Sequence, residues 1–286
     1  RRREGRWLEA LESYRAALRL DPGFGDAADQ VFSCENSGRR YPQALAAEKV
    51  RMSLRNVTPS VLRRNLAEIN FRATGSLRDY EEFIASPLFA LNTAGFQRKS
   101  RNDLALARGD LAEFLATGLR PAPATTNLAV YLPAAAALVA QGRVVEARTL
   151  LAPFPELLRA RLQREPLSPF LWADLGMVEA ILDHAEEALR CVRKAVELVP
   201  DSVDRSFGPV WRINLAFVQA WTGDKAAALE EYRRLLQVPN FNASNAHFSP
   251  TLNVHVMRHH PFFFPLQGDP RFEALLNDPK NNAPLF

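Results

Sequence analysis

The chain has 286 residues, 47% apolar and 24% charged, a balance that excludes disorder and fits one or two domains or a longer repeat array. Its net charge of +4 is spread, with Glu81 and Glu82 beside Arg78 and Glu230 and Glu231 beside Arg233 and Arg234; the lone basic run, Arg1-Arg2-Arg3, argues against a nucleic-acid binder. Cys34 and Cys191 are too far apart for a disulfide framework or a metal spacing and suit a reducing cytoplasm, and the longest apolar run, Leu128 to Ala140, is too short to span a bilayer.

Along the chain the predicted elements are all helices. Residues 4–20 carry Ala10, Leu11, Tyr14, Ala17 and Leu18 at offsets of three, four and seven, one face of a helix. Six helix pairs follow, at about 25–54, 60–85, 92–118, 126–160, 168–199 and 206–238. Glycines mark the turns: Gly5, Gly38, Gly75, Gly109 and Gly142 are spaced by 33, 37, 34 and 33 residues, and Gly223 comes 81 later, with Asp183-His184 in the intervening turn. A period near 34 is that of a helix–turn–helix unit, and glycine tolerates the positive φ at which a first helix stops. Prolines at 22, 59, 87, 121, 123, 200 and 239 fall between units, and the Pro-Ala-Pro-Ala-Thr-Thr stretch at 121–126 is the candidate bend.

Residues 169–200 resemble the tetratricopeptide repeat, with Trp172, Leu175, Gly176, Ala188, Ala195 and Pro200 at its signature positions in order. Ala10, Tyr14, Ala17 and Pro22 look like the second half of such a repeat, and Leu215, Ala216, Gly223, Ala228 and Tyr232 like a third match. Between about 60 and 160 the pattern departs, with Tyr80 and Phe114 where a small alanine is expected. The resemblance implies an all-α fold: a right-handed α-solenoid of antiparallel helix pairs over residues 1–248, closed by a C-terminal capping segment at 249–286.

In that segment a short helix is expected from Ser249-Pro250-Thr251 through Met257, and a second with Asp269 as cap and Pro270 at its first position. Phe262, Phe263, Phe264, Phe272, Leu275 and Leu276 would cover the last apolar face of the array. The ending from Pro265 to Leu276 also resembles the tail of bacterial proteins in which such arrays follow a serine/threonine kinase, adenylate cyclase, winged-helix or TolB-like module. With residues 4–20 reading as a helix without its mate, the expectation is the C-terminal part of a longer signalling protein.

Catalytic patterns are scarce. His255 and His259 share a helical face, but Val-Met-Arg separates them, with no glutamate base and no third ligand, so satisfied histidines on a capping helix are expected. His184 and His247 read as turn or surface residues, Cys34 and Cys191 as small buried hydrophobes, Arg108-Gly109-Asp110 as an inter-helix turn, and the paired carboxylates Glu81-Glu82 and Glu186-Glu187 as solvated. No metal or cofactor is expected.

The resemblance places a binding groove on the first helix of each pair. Its register falls on Phe170, Ala173, Met177 and Ala180, then on Val210, Ile213, Phe217 and Ala220 with Trp221 beside them. This apolar stripe either takes a helix or extended peptide or is buried against the capping segment. Further back it meets Asn65, Ile69, Arg72, Lys99 and Asp103, of which Asn65, Arg72 and Lys99 are candidate partner contacts; Leu132 and Ala136 in the next unit disfavour a chaperone-tail clamp. The implied function is a non-catalytic protein- or peptide-binding scaffold; the alternatives are a regulatory segment joined to an upstream kinase or cyclase, or a self-association module.

Overall fold

The computed structural model describes residues 1–118, 128–239 and 252–286, and every regular element in them is helical. In chain order these are α1 (Trp7–Leu20), α2 (Gly25–Ser37), α3 (Tyr41–Leu54), α4 (Pro59–Thr74), α5 (Arg78–Ile84), α6 (Pro87–Ala90), α7 (Ala94–Arg108), α8 (Leu111–Gly118) and α9 (Leu128–Ala140). After them come α10 (Val144–Leu151), α11 (Phe154–Arg164), α12 (Pro169–Ile181), α13 (Ala185–Leu198), α14 (Gly208–Trp221), α15 (Lys225–Leu235), α16 (Val254–His259) and α17 (Pro270–Asn277). Three 3₁₀ segments, Arg2–Glu4, Pro261–Leu266 and Pro279–Asn282, complete the set. None of the described helices is long and apolar enough to cross a membrane.

Neighbouring helices pack in sequence: α2 on α3, α4 on α5, α7 on α8, α9 on α10, α12 on α13 and α14 on α15. Left-handed residues make the turns between them. Gly75, Gly109 and Gly142 all sit at φ 75° and Gly223 at 96°, and Asp183 takes the same conformation, φ 73°, in the turn that lacks glycine. Gly38 departs from this. Its own φ is −81° and Arg39 adopts the left-handed conformation instead, at 55°. Gly38 is small for another reason, since a Cβ there would lie 2.5 Å from Cζ of Phe286.

The second half of the 126–160 unit is two helices, because Pro153 stops α10 and starts α11. A further short helix, α6, opens at Pro87 between the second and third pairs. Tyr80 and Phe114 are buried in the irregular centre. The candidate bend at 121–126 lies outside the described residues.

Helices α12 and α13 approach one another closely. A Cβ on Gly176 would stand 2.9 Å from the Ala188 carbonyl oxygen, and Ala188, Cys191, Val192 and Ala195 opposite are all sealed from solvent. Trp172 caps this pair by donating its indole N–H to the Pro166 carbonyl at 2.8 Å, with the Arg190 guanidinium over its ring at 5.3 Å.

The start of the chain lies against later parts of it. Arg205 N–H donates to the Arg3 carbonyl at 2.8 Å, Arg3 is 3.4 Å from the Asp204 carboxylate, and Arg39 donates to the Leu236 carbonyl at 2.6 Å. The final residues join there too: Leu285 N–H donates to Gly38 O at 2.9 Å and Phe286 stacks on Trp7.

Candidate interaction surface

The inner stripe and the C-terminal segment face one another. Residues 254–266 pass along α4, α7, α9 and α14, each the first helix of its pair. Phe262 meets Phe217 edge-on at 4.9 Å, and the Trp221 indole N–H donates to the Phe262 carbonyl at 2.9 Å. Phe263 packs on Tyr232 at 5.4 Å and, on its other side, stacks with Phe272. Ala173, Met177, Ala180, Val210, Ile213, Phe217 and Ala220 are all buried, while Phe170, edge-on to Trp211 at 4.7 Å, and Trp221 are half-buried. The stripe is buried within the chain, at Phe217 and Trp221 against the C-terminal segment and at Ala173 and Val210 among Phe170, Ala195 and Trp211. The physical reason at Phe217 and Tyr232 is apolar area: packing the Phe262 and Phe263 rings on them removes all four from water.

The N-terminal half of the stripe is polar. Asn65 donates to Glu48 Oε1 at 2.7 Å and accepts from Arg64 at 3.1 Å, and Glu48, fully buried, is held in a fork by Arg51 at 2.8 and 3.0 Å. Lys99 reaches both oxygens of Asp103, at 3.0 and 3.1 Å, and remains exposed. Burial raises the Asp103 carboxyl above its ordinary value, with Lys99 pulling the other way. Arg72 is buried, 3.7 Å from Glu68, with no hydrogen bond at its Nε. The structure therefore separates the three polar candidates: Asn65 is engaged, Arg72 is enclosed, and Lys99 faces solvent.

The C-terminal segment is anchored by a buried amide. Asn253 donates to Tyr41 Oη at 2.9 Å and to the Arg72 carbonyl and Asn282 Oδ1 at 3.0 Å, while its Oδ1 accepts from the first N–H groups of α16, those of His255 and Val256. The expected helix thus starts at Val254, and Ser249-Pro250-Thr251 lie outside the described residues. Burial pushes the Tyr41 phenol upward. Asp269 caps α17 as expected, and its ion pair with Arg271 holds the carboxyl down at about 2.

His255 and His259 seat on the turns. A Cβ on Gly75 would be 2.6 Å from Nδ1 of His255, and one on Gly109 would be 3.1 Å from Nδ1 of His259. One helical turn of α16 thus spans two successive inter-helix glycines. His260 is buried beside Phe262 and Phe263, and its Nδ1 accepts from Phe262 N–H at 3.3 Å. Among the described residues no three His, Cys, Asp or Glu side chains converge as a metal site. Cys34 and Cys191 are free, buried thiols, pushed up to about 11 and about 12 by burial.

One recurrence escaped the sequence reading. Glu35 of α2 is buried and paired with Arg15 of the preceding helix and, at 3.2 Å, with Arg40 of the following turn. Glu179 of α12 is buried and paired with Arg159 of the preceding helix and, at 2.6 Å, with His184 of the following turn. The left-handed residues Arg39 and Asp183 complete the match, and all four counterparts lie 144 residues apart. Pairing the two turns on their positive-φ residues brings this out, whereas the glycine ruler marks one turn a residue early, at Gly38, and finds no glycine in the other. Comparison of the sequence with protein-family models and with curated proteins finds no match.

Proposed function

We propose that this chain is a helix-pair repeat array of the tetratricopeptide type, a right-handed solenoid in architecture, that works by holding a segment of another protein. The recurrence of Arg15, Glu35, Arg39 and Arg40 as Arg159, Glu179, Asp183 and His184 supports the repeat. A buried glutamate paired back to an arginine and forward to a turn residue, beside a left-handed residue, is the agreement that stacked copies of one unit give.

One observation carries the binding reading: residues 254–266 lie along the first helices of four pairs, α4, α7, α9 and α14. The inner stripe accepts an apolar segment, with aromatic rings on Phe217 and a carbonyl on the Trp221 indole. An external ligand of this surface would be an extended or 3₁₀ segment bearing aromatic side chains. The binding requires no chemistry at the groove. It belongs, on this reading, to a larger cytoplasmic bacterial signalling protein.

The test is capture of proteins from a lysate by the immobilised full chain, beside the variant Phe262→Ala, which uncovers Phe217 and Trp221. Defined proteins retained more strongly by the variant are the expected result. If neither chain retains any protein above a blank resin, the binding reading is wrong.

A further inference from the structure

We infer that the C-terminal segment is an acid-releasable strap, held by His255, His259 and His260, which fit their sites in the neutral form. What its release uncovers, the Phe217–Trp221 surface, rests on the binding reading above; the docking itself does not.

The geometry comes first. His255 and His259 are half-buried, one turn apart on α16, each with its ring against a glycine, at Gly75 too close for a methyl group and at Gly109 tight for one. His255 also lies against the Phe71 ring at 6.3 Å, with Nε2 3.3 Å from Asn282 Nδ2. An amide N–H₂ can only donate, so this contact needs a neutral imidazole whose Nε2 accepts. His260 Nδ1 accepts from Phe262 N–H, which leaves a proton at that nitrogen without a place. Two of the three contacts are thus lost when the rings charge.

On α16 itself the nearest charge is Arg258, which is bonded to Asn277 and stands 3.7 Å from Glu273 of α17. The charged groups of α4 are Arg63, Arg64, Glu68 and Arg72, with Arg72 and Glu68 3.7 Å from one another and Arg64 3.9 Å from Asp103. α7 carries Arg98, Arg101, the Lys99–Asp103 pair and Arg108, which is paired with Glu81, and the turn after it carries Asp110, whose carboxylate caps α8 at Glu113 N–H. From the last 3₁₀ segment come Lys280 and the capping Asp278. Neither His255 nor His259 forms an ion pair with a carboxylate among the described residues.

Burial, then the charge of Arg258, lowers the proton affinity of both rings, with His259 adding to the effect on His255; burial alone brings His260 down to about 3. The sign follows. The undocked histidines bind protons near their ordinary value and the docked ones do not, so docking is fully favoured above about pH 6.5 and weakens as pH falls below it. Each proton taken up changes the docking equilibrium by at most tenfold per pH unit.

The test is hydrogen exchange of the full chain at pH 7.5 and 5.5, with rates corrected for the intrinsic pH dependence of exchange. Backbone protection over residues 254–266 is expected to drop by roughly tenfold or more at pH 5.5, while that of α12 and α13 is retained. The triple variant H255Q/H259Q/H260N is expected to show no such drop. Should it fail to fold, the double variant H255Q/H259Q, which leaves one histidine, is expected to show a shallower drop than the natural chain. Equal protection at both pH values overturns the strap, as does an unchanged drop in the variants or a loss that includes α12 and α13. None of these outcomes depends on whether a lysate protein is captured.

Discussion

At the scale of single residues, burial decides which charges matter. The surface ion pairs, such as Arg78 with Glu82, exchange one solvated state for another and contribute little. Glu179 differs, being sealed while its partners Arg159 and His184 remain half or more exposed. The two sides of this pair are therefore unequal. Arg159→Ala strands a buried carboxylate with His184 alone and is expected to cost about 3 kcal/mol. Glu179→Gln keeps the volume and leaves Arg159 and His184 to water, for about 1 kcal/mol. Urea denaturation of the two variants checks the order; equal losses would mean that Glu179 is solvated in the folded chain. Phe217 gives a second case. It was legible as a stripe position, and as an open groove residue its truncation would be almost silent; sealed beneath Phe262, Phe217→Ala is expected to cost about 3–5 kcal/mol by thermal or urea melting.

At the scale of elements, the inter-helix glycines separate backbone strain from docking. Gly75 and Gly142 share φ 75°, so an alanine at either forces a β-carbon into the left-handed region at about 1 kcal/mol. At Gly142 the new methyl meets nothing within 4 Å, whereas at Gly75 it meets His255 at 2.6 Å. Gly142→Ala is expected to lower stability by that strain alone. Gly75→Ala should add the loss of α16 docking, seen as a further drop in melting temperature and weaker exchange protection at 254–266. Identical effects of the two variants would remove His255 from the docking contact. The positions of these turns were legible because glycine, punctuated helical faces and the 33–37 spacing are local signals. That Gly75 and Gly109 are also sockets was not, because their occupants arrive from some 150 or more residues away and carry no periodic mark. For the same reason α14 could be read as a helix with an apolar stripe, yet nothing local said whether solvent or Phe262 would lie on it. Arg39 hid its left-handed turn behind the adjacent Gly38, a glycine kept small by Phe286 instead.

At the scale of the whole molecule, two kinds of cohesion compete. Each helix pair packs on the next, which makes stability a sum of local terms. Against this, residues 252–286 bind helices from α1 to α15 and place Met257, Phe262, Phe263, Leu266 and Phe272 wholly out of solvent. At roughly 2 kcal/mol for each such side chain, the segment contributes an amount comparable to the net stability of an ordinary domain. A chain ending at residue 239 separates the two. If pairwise packing dominates secondary structure, it keeps most of its helical circular dichroism, because α12–α13 and α14–α15 hold one another without the segment. Its melting temperature is nevertheless expected to fall by at least about 10 °C, since several kcal/mol are lost at 2–4 °C each for a chain of this size. It should also bind a hydrophobic dye and associate with concentration, because Phe217, Trp221 and Tyr232 then meet water. Loss of all helicity would show one cooperative core with no separable strap. An unchanged melt would show that the segment merely rests on the surface, which the burial of Phe262 between Phe217 and His260 argues against.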